Sequence, residues 1–249
     1  MINYIDTSVQ FGENVKVGHF TVIEKDVTLG NNVIVGNNAT ICAGTIIEND
    51  VQIGDGSVIG KQPKPSKTST VTYDDMLPPL LLQDGVIVGA NAVIYAGTTI
   101  GVNTLVADQA FVREKCQIGD YVIIGRGVTV ENNTTIGAYT KIQSGSYITA
   151  HMAIEDHVFI APMVQTTNDN FMGRTEERFA LIKGPTIKRG ARIGGGAVLC
   201  PGVIIEEETF VAAGAVVTKD TETKSVVKGV PAKIFKMVPD NELLENQKP

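Results

Sequence analysis

Tryptophan is missing from this 249-residue chain, and aromatic residues together make up only 6% of it. A core organised around large rings is therefore excluded. Charged residues are also modest at 19%, while hydrophobic ones reach 43%, so the chain is not a disordered polyelectrolyte. Cysteine is scarce: Cys42, Cys116 and Cys200 lie far apart and form no C-x-x-C pair. That argues against a disulfide framework or a zinc knuckle and leaves three small packing residues. Positive charge is not in excess either, because the formal net charge is -6. The chain has no global field for nucleic acid or an anionic membrane surface, and any anionic ligand must be held by local lysines. No apolar run is long enough to span a bilayer, and the start MINYIDTSVQ lacks a basic stretch followed by an apolar one. The expectation is a cytoplasmic protein with no nucleic-acid or membrane partner.

What is abundant is glycine, 26 residues, together with valine and isoleucine spread along the whole length. They recur with a period of six. Stepping from Ile5 through Phe11, Val17 and Ile23 to Ile59 gives ten apolar residues without exception. A second run from Val88 to Ile160 gives thirteen more, and a third runs from Ile187 to Val217. Two residues before each apolar position stands a small or β-branched residue, as at Val27, Ala39 and Thr45. Two inward residues separated by one outward residue is strand alternation. Glycine often follows the apolar position, as at Gly12, Gly30 and Gly101, which predicts corners with unusual backbone angles. Strands this short cannot bury their inward side chains in a hairpin sheet. Stacking successive turns of one coil buries them inside a prism.

With this repeat, the chain resembles the hexapeptide-repeat acyltransferases. The resemblance implies an all-β fold, a left-handed parallel β-helix with three hexads per coil and about ten coils, and a homotrimer with active sites between subunits. The expected organisation is one domain over residues 1–238, with loop insertions at about 61–85 and 161–185, and a tail over 239–249. Asp240 or Asn241 would cap a short C-terminal helical segment in that tail.

Interruptions of a rigid stack are where function is expected. The first carries Lys61, Lys64 and Lys67, whose charges suit the diphosphate of a nucleotide sugar, and Leu80 to Leu82, which suit packing on the prism. The second follows Glu155-Asp156-His157-Val158-Phe159 and contains Thr167-Asn168-Asp169. That pattern resembles the E-D-x-V-F and T-N-D strings of N-acetyltransferases acting on nucleotide-linked amino sugars. The resemblance implies that Asn168 and Asp169 orient the amine or accept its proton. Those enzymes often carry Asn one hexad earlier, where this chain has Ser144-Gly145.

The stretch from Arg192 to Lys236 resembles the coenzyme A-binding end of hexapeptide acetyltransferases, through A-A-G-A-V-V-T-K-D and G-V-P-A-K. It implies acetyl-CoA or another acyl-CoA as co-substrate and no metal. Ala213 and Gly214 would let the pantetheine arm lie on backbone amides, and Pro231 belongs to the same signature. Lys219, Lys228 and Lys233 stand for the phosphates, because ammonium groups on flexible stems follow a strongly anionic ligand.

Of the three histidines, His151 and His157 fall three residues after an inward position and therefore at corners. Residues 18 apart share a corner on consecutive coils, so His157 stacks over Tyr139 and Tyr121, and His151 over Asn133 and Lys115. His151 is the candidate general base. Transfer to a hydroxyl instead of an amine is the nearest alternative, and a γ-carbonic-anhydrase-like or non-catalytic β-helix is the other.

Overall fold

The six-residue period becomes a two-residue strand and a turn, repeated along the column. The computed structural model describes residues 2–69, 71–73 and 75–247. Tyr4–Ile5 pairs in parallel with Val22–Ile23, 18 residues on, and each later strand pairs with its third neighbour in the same way. The result is a left-handed parallel β-helix with three flat sides. Its sheets hold 11, 10 and 12 strands, slightly more than about ten coils require. The last strand pair, Ser225–Lys228 with Lys233–Met237, is antiparallel.

The inward row forms a continuous core. Ile23, Ile41, Ile59, Ile94, Ile124 and Ile148 have no exposed surface, and burying each such side chain contributes about 1.5–3 kcal/mol. Ile5 and Phe11 of the first turn have the same phase but lie exposed at the open end of the column. The smaller inward position accepts threonine because a carbonyl lies within reach. Thr21 Oγ1 donates to the Gly36 carbonyl at 2.8 Å, and Thr98 Oγ1 to the Arg113 carbonyl at 2.7 Å, so a buried hydroxyl costs little. Cys116 fills one of these positions, and burial pushes its thiol up to about 12, as expected of a packing residue.

The glycines that follow the inward row do a different job from the one their sequence position suggests. Gly12 and Gly101 do not adopt left-handed angles. A Cβ on Gly12 would meet the Gly30 carbonyl carbon of the next coil at 2.5 Å, and one on Gly101 the Gly119 carbonyl carbon at 2.5 Å. Close stacking of coils, not backbone freedom, excludes a side chain there. The left-handed residues come two positions later, at Asn14, Asp26, Asn32 and His151, with φ between 57 and 61°. Asparagine and aspartate tolerate this conformation best, and they also link coils: Asn14 Nδ2 donates to Asn32 Oδ1, and Asn32 Nδ2 to Asp50 Oδ1.

Both insertions are shorter than expected. Leu80 and Leu82 are fully buried in the column, in phase with Val88, so the core resumes one hexad earlier than the predicted boundary. Leu80 and Leu82 are core residues, and Leu81 is the strand residue between them, instead of the surface packing expected of this loop. Val164 and Thr166 likewise continue the core past Ile160; Thr166 Oγ1 donates to the Tyr147 carbonyl at 2.9 Å. The polar residue hid this hexad from a search for apolar rows. The 18-residue spacing of stacked partners stretches only to 35 across the first insertion and 33 across the second. At the C-terminus the expected helical segment is two 3-10 turns, Asp240–Glu242 and Leu244–Asn246. Pro239 stands at the cap without a side-chain bond, so neither Asp240 nor Asn241 caps it. Leu243 packs with Val226, Val238 and Phe210. Among the described residues no helix is long and apolar enough to cross a membrane.

Candidate active site

Both insertions leave the column from one edge. The first departs after Val58–Lys61 of the first sheet and rejoins at Leu81–Leu82 of the second. The second departs after Gln165–Thr166 of the first sheet and rejoins at Thr186–Ile187 of the second. Five strand spacings separate the two departures in the first sheet, about 24 Å. Between them this edge presents the corners of Gly97, Lys115, Asn133 and His151, so the two loops bracket a stretch of first sheet and the His151 edge.

A cleft of about 320 Å³ lies at that place, lined by Val71 of the first insertion, Asn168, Phe179 and Ile182 of the second, and Arg113, Glu131, Tyr147 and His151 of the column. His151 is exposed. Its backbone is fixed at both ends, the N–H donating to the Asn132 carbonyl at 3.1 Å and the carbonyl accepting from Gly184 N–H at 3.2 Å. Its ring has no hydrogen-bond partner among the described residues, which leaves both nitrogens available to a ligand.

The wall beside it is charged. Glu114 is completely buried and pairs with Arg113, whose Nη1 donates to Glu131 Oε2 at 2.9 Å. Burial opposes the guanidinium charge, but the bonds to Glu114 and Glu131 outweigh it and hold the Arg113 pKa above its ordinary value. Tyr147 is pushed up by burial and by the neighbouring Glu131 charge. Tyr73 reaches from the first insertion to Glu114 Oε1 at 2.7 Å, and the Lys115 ammonium lies 4.7 Å from its ring centroid. This contact pins the insertion to the column. Tyr73→Phe removes the hydroxyl and leaves a buried carboxylate with one partner fewer, at a cost of about 1–3 kcal/mol. Faster limited proteolysis within residues 62–79 is the expected result, and an unchanged cleavage rate would deny the pin.

The second insertion is organised by Asp169. Its carboxylate accepts from Phe171 N–H at 2.8 Å, Gly173 N–H at 3.0 Å and Arg178 Nη1 at 3.0 Å, and the Gly173 and Phe171 amides, with Arg178, hold its pKa below the ordinary value. Asn168 closes the loop: its carbonyl accepts from Lys183 N–H at 3.0 Å, and its Nδ2 donates to the Ala150 carbonyl at 3.3 Å, next to His151.

Of the residues singled out in the sequence, His151 and Asn168 therefore share one cleft, while Asp169 sits behind it. Lys64 lines a neighbouring cleft, and the Lys61 ammonium lies 5.4 Å from the Tyr95 ring centroid. His157 is elsewhere, on the edge between the second and third sheets. It tilts against Tyr139 at 5.0 Å, Tyr139 stacks on Tyr121 at 5.1 Å, and its Nδ1 lies 2.7 Å from Asp156 Oδ2. Arg113, Glu131 and Tyr147 escaped the sequence reading, which followed corners and loops. Their signal was a charged pair of opposite sign 18 residues apart, each directly after an inward valine.

The coenzyme A-like end occupies another edge. Ala213 and Gly214 form an exposed corner between the third and first sheets; Gly214 has φ 68° and open space where a Cβ would stand. Lys219 is exposed after Val216–Val217. Lys228, Pro231 and Lys233 lie exposed at the turn of the terminal hairpin, with the Lys228 ammonium 3.3 Å from the Phe235 centroid. Within one chain Ala213, Gly214, Lys228 and Pro231 lie at the third-to-first margin, opposite His151 across the first sheet, whereas Lys219 follows the last strand of the first sheet on the His151 margin.

Comparison with known proteins follows the repeat. Residues 8–43, 115–150 and 184–219 match the family described as bacterial transferase hexapeptide (six repeats), and residues 82–107 match the hexapeptide repeat of succinyl-transferase. Together they take in more than half of the chain. It belongs to the hexapeptide-repeat transferase family. This hexapeptide-repeat protein is 48% identical over 48 residues to a 2,3,4,5-tetrahydropyridine-2,6-dicarboxylate N-acetyltransferase of Enterococcus faecalis, covering 19% of this chain and 21% of that one. It is 39% identical over 67 residues to the mitochondrial gamma carbonic anhydrase 2 of Arabidopsis thaliana, 26% of this chain and 24% of that one. It is 31% identical over 77 residues to a serine acetyltransferase of Buchnera aphidicola, 31% of this chain and 28% of that one. The matches thus span about a quarter of the length of these relatives. In three dimensions it is similar to a UDP-N-acetylglucosamine acyltransferase of Francisella novicida. The TM-score is 0.54 at 18% identity, covering 98% of this chain and 71% of that one, which is a likeness of fold.

Proposed function

We propose that this protein is an acyl-CoA-dependent N-acyltransferase that moves an acetyl group to the amino group of a nucleotide-linked amino-deoxy sugar. The observation that carries the reading is His151. It is the imidazole in the cleft bracketed by both insertions, it is unengaged, and Glu131 and Asn168 line the same cleft. Two of the relatives carry acetyltransferase names, one of them an N-acetyltransferase.

In this reading the neutral amine attacks the thioester carbonyl, a C–N bond forms, and His151 takes the N–H proton. The C–S bond then breaks, and the proton passes to the departing thiolate to give free CoA. Asn168 orients the amine, while Asp169, held by three donors, positions the loop that carries Asn168. Lys61 and Lys64 attract the diphosphate. Ala213, Gly214 and Pro231 border the pantetheine arm, and Lys219, Lys228 and Lys233 meet the phosphates. Because Ala213, Gly214, Lys228 and Pro231 occupy a different edge of the column from His151, the reading includes a homotrimer in which the donor edge of one subunit faces the His151 edge of the next. Within one chain His151 and His157 lie on different edges, so a zinc site of the carbonic-anhydrase kind would have to combine histidines of two subunits.

Release of free thiol from acetyl-CoA, measured across UDP- and dTDP-linked amino sugars, tests the reading; no release with any acceptor would defeat it. The double variant Lys219→Ala with Lys233→Ala should raise the KM for acetyl-CoA at least about tenfold, with kcat little changed, since charged hydrogen bonds contribute about 1.5–3 kcal/mol each. An unchanged KM would remove the lysines from the donor site.

A further inference from the structure

A second cleft of about 250 Å³ adjoins the His151 cleft, and Arg113 and Glu131 form part of both walls. Its other lining comes from the first insertion, with Pro63, Lys64, Pro65 and Tyr73, and from the column, with Tyr95 and Phe111. We propose that this cleft holds the nucleobase of the nucleotide-linked substrate, a step that rests on the function proposed above.

The chemistry favours a flat ring with polar edges. Tyr95 and Phe111 meet edge to face, centroids 5.5 Å apart at 70°, half-buried on the outer face of the first sheet. Stacking of a base on such rings is tolerant of base identity and strong for its size. Pro63 and Pro65 contribute rigid apolar surface. Glu131 gives one carboxylate oxygen to Arg113 and lies beside the Tyr147 phenol, and a carboxylate with its side chain partly exposed has lone pairs left to accept an N–H from the edge of a base. Lys64 is exposed at the rim, and Lys61 is held near Tyr95 on the side away from His151, so their charges draw an anionic ligand into this cleft. Burial and the bond to Glu114 raise the Tyr73 pKa, and this neutral phenol fixes the loop that closes the cleft.

The spacing also fits. In the first sheet the strand of Tyr95 lies three spacings from the strand that precedes His151, about 14 Å. A nucleotide-linked sugar, with a hexose, a diphosphate and a ribose between its reacting amine and its base, spans such a distance. With the base on the Tyr95 and Phe111 rings, two to three spacings from the strand that precedes His151, the sugar points toward His151 across the wall that Arg113 and Glu131 give to both clefts.

The test uses the full-length protein and two readouts. Uridine, thymidine and guanosine monophosphates are titrated calorimetrically against the protein and against Phe111→Ala, with Phe111→Tyr as the conservative control. The expected result is that at least one nucleotide binds, that Phe111→Ala weakens it about tenfold or more, that Phe111→Tyr restores it, and that CoA affinity stays within twofold, roughly. Failure of all three nucleotides to bind, or equal binding by Phe111→Ala, would overturn the proposal. So would tighter binding of adenosine 3′,5′-bisphosphate lost in the same variant, which would give the cleft to the acyl donor. In turnover, Phe111→Ala should lower kcat/KM for the nucleotide-linked amino sugar at least about tenfold more than for the same amino sugar 1-phosphate. Equal losses would refute a base contact. If neither sugar is acylated by the unaltered protein, the function reading fails, while the nucleotide titration still decides the base site.

Discussion

His151→Ala should lower kcat by about 10²–10⁴-fold while leaving the Kd for acetyl-CoA unchanged. Those magnitudes are what a positioned general base supplies. The split between kcat and Kd follows from geometry: His151 stands on the edge between the first and second sheets, while Ala213, Gly214, Lys228 and Pro231 lie on the edge between the third and first, and Lys219 lies three coils away from His151. The substitution should not disturb folding, because the ring is exposed and its fixed parts are the backbone bonds to Asn132 and Gly184. Steady-state kinetics with acetyl-CoA and the acceptor, together with calorimetric CoA binding, give both numbers. A kcat near that of the unaltered protein would mean that the amine sheds its proton without a protein base, and Asn168 would become the group to examine.

Ile148→Ala should destabilise the protein by about 2–5 kcal/mol. Ile148 is fully buried and stacks on Val130 in the first sheet, and the cavity left behind cannot be refilled by a column whose coils are locked in register. Each coil in a solenoid rests only on its neighbours, so the damage falls on the turn that carries His151 and on the root of the second insertion. Thr129→Ala, on the outer face one coil away, should stay within about 0.5 kcal/mol. Urea unfolding of both variants provides the comparison, and equal stability of the two would contradict the packing account.

The period-six column was readable because an inward position tolerates few residues. Every isoleucine and valine in phase from Ile23 to Ile160 is buried. The reading slipped where chemistry departs from the apolar pattern. Thr166 is an inward residue whose hydroxyl finds the Tyr147 carbonyl, and Leu80 and Leu82 belong to the column although they fall within the expected first insertion. The glycines were correctly located but given the wrong cause, since contact between coils leaves no trace in a single hexad. Corner counting singled out His151 and the T-N-D string singled out Asn168, and the fold brings the two to the wall of one cleft. Glu131 and Arg113 stayed hidden because they are outward residues directly after a strand, and only the return of the first insertion through Tyr73 turns that face into a wall.

The claim on which the account turns is transfer of an acyl group from CoA to nitrogen, and the linkage in the product tests it. The protein is incubated with isotope-labelled acetyl-CoA and the acceptor sugar that supports thiol release, and the product is treated with mildly alkaline hydroxylamine before mass spectrometry. An acetyl label that remains on the sugar is the predicted result, because an amide resists this reagent. A label stripped from the sugar would mean an ester, and the acceptor would then be a hydroxyl group.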